Sequence, residues 1–360
     1  MPPDPQETNA FPPQQPRDRF PTPTPSNVGE PRANLGLLKR FWIYQKERFP
    51  LVKHGFLIAI FSGSAVGYGA RLTNTSPTFA SALVAFLSTF AFFWQMRVAD
   101  EFKDLTDDAQ YRPYRPVPRG LVSLRELAIA GVISAVLQAS LALWLAPALL
   151  GFMVCVWAYF GLMCKEFWVR DWLKTRPVFY VLSHMVIVPM IGGYAIAVQT
   201  VPATGIALNW NLIPFLLTCF CNGLVIEIGR KTRLPAGEEI GVETYSALWG
   251  LAMAVRLWLG AVVLTAISSL WAAGQIQTLG VVVPLLMALL GWVGFKAWPW
   301  LGASAAGLAM QPSSPSSATP EPEATARTPA AYDLLDGPTA LWTLGVYLGL
   351  GWLPWFWGGG

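Results

Sequence analysis

The chain is read most directly from the length of its apolar runs. Nine stretches, at approximately 50–71, 78–98, 125–146, 149–165, 177–199, 209–229, 247–272, 278–297 and 338–357, consist almost wholly of Leu, Val, Ala, Ile, Phe, Gly and Trp. Crossing the hydrocarbon core of a bilayer as a helix takes about 20 such residues. The runs do not alternate apolar and polar positions as barrel strands do, and no short-period repeat is visible. The fourth run is the shortest, and only a tight turn at 145–150 parts it from the third. The pattern predicts an all-α integral membrane protein, a bundle of nine transmembrane helices.

Charge sets the expected orientation. Eight Lys and Arg precede or include Lys53, six lie from Arg97 to Arg125, four from Lys165 to Arg176, and three from Arg230 to Arg233. The segment after the eighth run carries Lys296 and Arg327, the remaining loops only Arg71, and Arg256 lies inside the seventh run. Basic residues gather on the cytoplasmic side of membrane proteins. Strict alternation then predicts a cytoplasmic N-terminus and, after nine spans, a C-terminal "WFWGGG" on the opposite side. The outer loops contain no Asp or Glu, so titratable chemistry is expected at the cytoplasmic face. A bacterial inner membrane or its equivalent is the expected location.

Composition agrees: 54% of residues are hydrophobic and 13% charged, against about 25% charged in soluble domains. The expected partners are therefore the lipid bilayer and apolar ligands, with no nucleic acid. Residues 1–35 hold ten prolines and no apolar signal-like segment, which predicts an uncleaved, disordered stretch. The expected organisation is a Pro-rich cytoplasmic tail at 1–45 and a core at 46–302 holding spans one to eight. A flexible cytoplasmic insertion at 303–333, containing "PSSPSSATPEPEATA", and the last span at 334–360 complete it. The four cysteines lie in apolar segments and read as small buried hydrophobes; His54 and His184 read as interfacial or packed.

One polar block interrupts this pattern, "RVADEFKDLTDDAQYRPYRPVPRGLVS" from Arg97 to Ser123. Were the second span to continue as a helix, Asp100, Glu101, Asp104, Asp107 and Asp108 would fall within an arc of roughly 120°. Like charges at that spacing repel, so the cluster calls for a cation. Mg²⁺ is the simplest, since it takes one or two carboxylates and shares substrate phosphates. Arg112, Arg115 and Arg119 follow, kept extended by Pro113, Pro116 and Pro118, and arginine suits bidentate phosphate contacts. Ser123 is a candidate N-cap for the third span. A second block, "EIGRKTRLPAGEEIGVETYSALWG" from Glu227 to Gly250, offers Glu227, Glu238, Glu239 and Glu243 among Arg230, Lys231 and Arg233. Two such blocks on one side of the membrane read as two halves of a divalent-metal site that holds a polyphosphate.

These residues resemble the UbiA superfamily of intramembrane prenyltransferases. That family has nine transmembrane helices, an NDxxDxxxD motif after the second and a DxxxD-like motif after the sixth. Here "DEFKDLTDD" and "EIGRKTRLPAGEEIG" stand at those places. "RPYRPVPRG" is similar to the RPxxxG segment of the family, and "GVETYSALWG" to its GVxT segment. The likeness spans roughly residues 45 to 300 and the last run. It departs in carrying Asp100–Glu101 for Asn-Asp, and in placing Tyr159 and Lys165 six rather than five apart. The resemblance implies a UbiA-like bundle with its active site on the cytoplasmic side. Mg²⁺ would be held by Asp100, Glu101, Asp104, Asp108, Glu227, Glu238 and Glu239. Arg112, Arg115, Arg119, Lys165, Lys231 and Arg233 would hold the diphosphate of a prenyl donor, with Lys165, Arg119 and Lys231 assisting its departure. The prenyl group would pass to a hydrophobic acceptor, aromatic or lipidic. Trp94, Trp157, Tyr159 and Trp168 are candidates to face the allylic cation.

Two other classes were weighed. A cation-binding membrane transporter predicts acids in mid-span, whereas both acidic blocks lie at span ends. A CDP-alcohol phosphotransferase predicts a DGxxARxxxxxxxxG signature, which the chain lacks. Arg256, the one charge deep in a span, is expected to face the cavity or an acid of the second block.

Overall fold

The computed structural model describes residues 35–207, 209–238, 242–302 and 334–354. The insertion at 303–333 and the first 34 residues lie outside the described residues, as does Glu239. The elements, in order, are α1 (Leu37–Arg48), α2 (Leu51–Leu72), α3 (Phe79–Lys103), α4 (Leu105–Tyr111), α5 (Leu124–Leu145), α6 (Leu149–Cys164) and α7 (Arg170–Lys174). Then come α8 (Pro177–Met185), α9 (Ile187–Thr204), α10 (Ile213–Arg230), α11 (Tyr245–Trp249), α12 (Leu251–Gln275), α13 (Leu279–Ala297) and α14 (Asp336–Tyr347).

Seven helices are long and apolar enough to cross a membrane: α2, α3, α5, the Pro177–Thr204 helix formed by α8 and α9, Trp210–Arg230, α12 and Leu279–Trp300. The chain is thus a multi-pass helical membrane protein. The other two of the nine expected runs are shorter. α6 has 16 residues, and α14 has 12 before it passes into a π-helical turn at Leu348–Trp352. Length and composition therefore give seven spans among the described residues where the sequence pattern predicted nine.

Helix α10 lies centrally: 67% of its apolar window is buried against protein, compared with 17% in α5 and 22% in α13, whose sides are left for lipid. α10 packs on α12 and α9, and α9 on α2, α3 and α6, so a ring of helices encloses α9 and α10. Small residues permit the tightest crossing. A Cβ on Gly351 would lie 2.1 Å from the backbone of Ser64, so the final segment docks on α2 only because that position is glycine.

The start of the chain corrects the sequence reading. Residues 37–45, expected in the tail, belong to α1, which is held against the core. Tyr44 is fully buried and joins Val98, Leu121, Val122 and Leu127 in a satellite cluster. Arg40 donates to Glu126 at 2.7 Å and to the Leu121 carbonyl at 3.1 Å. Ser123 does cap α5: its hydroxyl accepts from the Glu126 amide while Glu126 reaches back to the Ser123 amide, a full capping box.

Candidate functional site

A cavity of about 1210 Å³ opens among α3, α5, α6, α8, α9 and α10. Its polar end is lined by Arg97, Asp100, Lys103, Lys165, Glu166, Arg170, Glu227, Arg230 and Lys231. Six cations against three carboxylates make that end net positive, which suits an anion. Its other walls are apolar, with Phe93, Met96, Val132, Trp157, Phe160 and Val188. Helix ends supply the charges and helix middles the apolar walls, so the arrangement follows directly from membrane-spanning helices that carry charge only at their termini.

The first acidic block is divided between two environments. α3 ends at Lys103 and Asp104 leaves helical geometry (φ −92°, ψ 5°), so the acids do not continue along one helix face. Glu101 turns away from the cavity and is buried; Arg48 donates to it at 2.6 Å and the Tyr44 hydroxyl at 3.3 Å. Burial, with the Glu101 charge next, pushes the Tyr44 phenol far above its ordinary range. Asp108 is also buried, and accepts from Arg115 at 2.8 Å on both oxygens; Arg112 forms an ion pair with it at 3.0 Å, and Arg48 lies 4.0 Å away. Asp107 is exposed. That leaves Asp100 and Asp104. Asp100 lines the cavity and, among the described residues, forms one ion pair, with Arg97 at 3.6 Å. The Asp104 carboxyl is pushed up by burial and then by the charges of Asp100 and Asp108, the signature of negative charge short of a counter-ion. Asp100 and Asp104 therefore fit one hard cation, whereas Glu101 and Asp108 already have cationic partners in the protein.

The basic segment departs from the extended chain expected of it. Arg112 to Leu121 is a series of turns, with Arg115 N–H bonded to the Arg112 carbonyl, Arg119 N–H to Arg115 and Leu121 N–H to Pro116. The Asp108 carboxylate gathers Arg112 and Arg115, and Arg119 pairs bidentately with Glu47 at 2.7 and 2.9 Å. None of the three arginines lines the cavity. Their ion pairs tie the turns to α1 and α4.

In the second block, Glu227 lines the cavity but is closed by Arg230 at 2.5 Å and Lys231 at 3.0 Å. Lys231 stands four residues on, where a DxxxD spacing would put the second acid. Glu238 accepts from the Thr244 and Ser246 hydroxyls at 2.6 and 2.7 Å, pinning the loop ahead of α11. Arg233 serves that loop too, its amide donating to Ser246 Oγ at 2.9 Å. Neither residue lines the cavity, and Glu239 lies outside the described residues. Among the described residues no cluster of three or more His, Cys, Asp or Glu able to hold an ion is found.

Of the nominated residues, Asp100, Lys165, Glu227 and Lys231 come together in the cavity. Lys165 makes no ion pair among the described residues and is free to meet an anion. Trp157 also lines the cavity and donates to Gln95 Oε1 at 3.2 Å. Tyr159 instead donates to the Ser183 carbonyl, Trp168 is exposed, and Trp94 packs on Tyr44. Arg256 caps the Leu301 carbonyl at 2.9 Å and does not reach the cavity.

Sequence reasoning passed over Lys103, Glu166, Arg170, His184 and Arg230. Lys103 pairs with Glu166 and contacts the Tyr180 hydroxyl. Glu166, Phe167 and Trp168 all have φ between 50° and 57°, a left-handed run that bulky side chains avoid and that turns Glu166 back under α6. The signal available was the "KE" pair at the end of a span, where a buried acid stands directly after a cation.

No protein-family model and no curated protein matches the chain. Two solved structures are similar to it. A UbiA homologue from Archaeoglobus fulgidus, bound to DMAPP and Mg²⁺, superposes with a TM-score of 0.50 at 11% identity, covering 83% of this chain and 97% of that one. A structure concerned with digeranylgeranylglyceryl phosphate synthase in membranes gives 0.49 at 16% identity, covering 87% and 99%. The likeness to the Archaeoglobus protein is one of fold: this chain is built on the UbiA fold.

Proposed function

We propose that the protein is a UbiA-superfamily prenyltransferase, moving a prenyl group from a prenyl diphosphate to a hydrophobic acceptor within the membrane. The observation that carries the reading is the cavity itself, with a net positive polar end that includes Asp100 and apolar walls leading away from it. That polarity matches an amphipathic ligand with an anionic head and a hydrocarbon tail. The UbiA fold supports it, since a homologue of that fold is bound to DMAPP and Mg²⁺. The transporter alternative gains nothing, because the cavity's carboxylates lie at helix ends.

Lys165, Arg170 and Lys231 would hold the diphosphate and take up the charge that grows on it as the allylic C–O bond breaks. Asp100 and Asp104 would hold one Mg²⁺, which when bound neutralises phosphate charge as a Lewis acid. Phe93, Phe160 and Trp157 would enclose the prenyl chain, exclude water and turn π faces to the developing cation. We place this end of the bundle on the cytoplasmic side, together with the N-terminus, because the Lys and Arg residues cluster there. Purified protein in detergent, given Mg²⁺ and a labelled series from dimethylallyl to geranylgeranyl diphosphate, should release pyrophosphate and label an extracted acceptor. Inertness of the folded protein toward the whole series would refute the reading.

A further inference from the structure

The cavity contains a buried polar pair beside the Lys103 ammonium. His184 and Glu166 both line it, and both are more than nine-tenths buried, at 8% and 5% exposure. His184 Nδ1 lies 2.9 Å from the Tyr180 carbonyl. A carbonyl can only accept, so Nδ1 carries the proton, and in the neutral ring Nε2 presents a lone pair. The ring is fixed there by stacking on Tyr180, at 4.0 Å between centroids, and by the edge of Phe167.

Glu166 is fixed as firmly. Its Oε1 is held by Lys103, and the left-handed backbone run places it under α6. Its Oε2 faces His184 Nε2 at 4.0 Å, and among the described residues neither atom has a hydrogen-bond partner. Two buried acceptors turned toward each other are unfavourable unless a donor comes between them. A hydroxyl placed about 2.8 Å from Nε2 gives that acceptor its missing donor. The groups that face the imidazole are Lys103 from α3, Glu166, Tyr180 from α8 and Glu227 from α10, and a proton arriving on Nε2 meets the Glu166 carboxylate at 4.0 Å.

Building on the prenyltransferase reading, we propose that His184 Nε2 is the general base for a hydroxyl-bearing acceptor, a phenol or an alcohol, with Glu166 as the residue that positions it and balances its charge. The allylic C–O bond of the donor breaks and its electron pair leaves with the diphosphate. An electron pair of the acceptor forms the new bond to the allylic carbon. The acceptor's O–H proton moves to Nε2, leaving imidazolium beside Glu166. The site thus takes an acceptor by its hydroxyl.

Only two histidines occur in the chain, so protein labelled with ¹⁵N-histidine gives two resolvable imidazoles, and His184→Asn assigns one of them. His184 is expected as the Nδ1–H tautomer; an Nε2–H tautomer would overturn the proposal. The second measurement follows the products from prenyl diphosphates with a panel of phenols, quinols and lipid alcohols. In His184→Asn and Glu166→Gln, transfer should fall by about 10²- to 10⁴-fold, the usual share of a general base. Release of pyrophosphate should fall far less, so that prenyl alcohol from water capture displaces the transfer product. Equal loss of both, or transfer undiminished in either variant, would overturn the assignment. Glu166→Gln is nearly isosteric and carries the test should His184→Asn not fold. A wild-type protein that releases no pyrophosphate from any prenyl diphosphate would instead overturn the underlying reading, and this proposal with it.

Discussion

Within the nine residues from Asp100 to Asp108, two carboxylates are buried against arginines and two are left without a full counter-charge. Glu101 and Asp108 tie α1 and the turns after α4 to the end of α3. Asp100 lines the cavity, and Asp104, four residues on, is hard to ionise because of burial and the charges of Asp100 and Asp108. The same residue types in one motif thus do two jobs, and burial plus partner decide which. A buried ion pair resists loss of either member, because the survivor is left charged in a low dielectric. An unpaired acid at a cavity edge costs stability and is available for a ligand.

Several substitutions test that division. Asp104→Ala should abolish transfer from a labelled prenyl diphosphate, by about 10³-fold, with the melting curve in detergent little changed. Inactivity accompanied by unfolding would place Asp104 with the structural acids instead. Glu101→Ala should do the reverse first, losing about 3–5 kcal/mol as Arg48 and Tyr44 lose their partner. Thermal melts should show the fall, and Arg48→Met in the same chain should restore part of it. The cations divide likewise. Lys165→Ala should weaken pyrophosphate binding by about tenfold, the scale of one charge-assisted contact, as read by calorimetry with Mg²⁺ present. Arg119→Ala should leave pyrophosphate binding unchanged, its partner being Glu47.

The smallest effect concerns pH. A carboxyl whose folded pKa is raised destabilises the fold above that pKa and not below the ordinary aspartate value. In EDTA, Asp104→Asn should therefore raise the melting temperature at neutral pH, and the gain should vanish as pH falls below the usual range of an aspartate. Mg²⁺ should stabilise the wild type and not this variant. A gain that persists at acid pH would mean that Asp104 is not the group responsible.

Much of the fold was legible in the sequence because the bilayer leaves few options. Long apolar runs must be helices, and charges must collect at their ends. Seven spans could be placed this way; α6 and the last segment were legible as apolar runs but not as shorter helices. The capping box at Ser123 was readable from local chemistry alone. α1 was missed because the proline-rich composition before it was extended too far, whereas Tyr44 and Arg40 are fixed by partners at Trp94 and Glu126, 50 and 86 residues away.

What the sequence determined by itself was the class of protein and the stock of charges from which its site is drawn, since both depend on residue type and local order. Which charges meet was decided by tertiary structure. A helix period assigned five acids to one face, but α3 breaks at Asp104, and arginines from α1 and the following turns reached two of them first. Likewise Glu166 and His184, eighteen positions apart and unremarkable in the sequence, were brought 4.0 Å from each other by a left-handed turn and a stacked ring. Long-range electrostatic pairing depends on three-dimensional distance, and distance is what a linear pattern of residues does not contain.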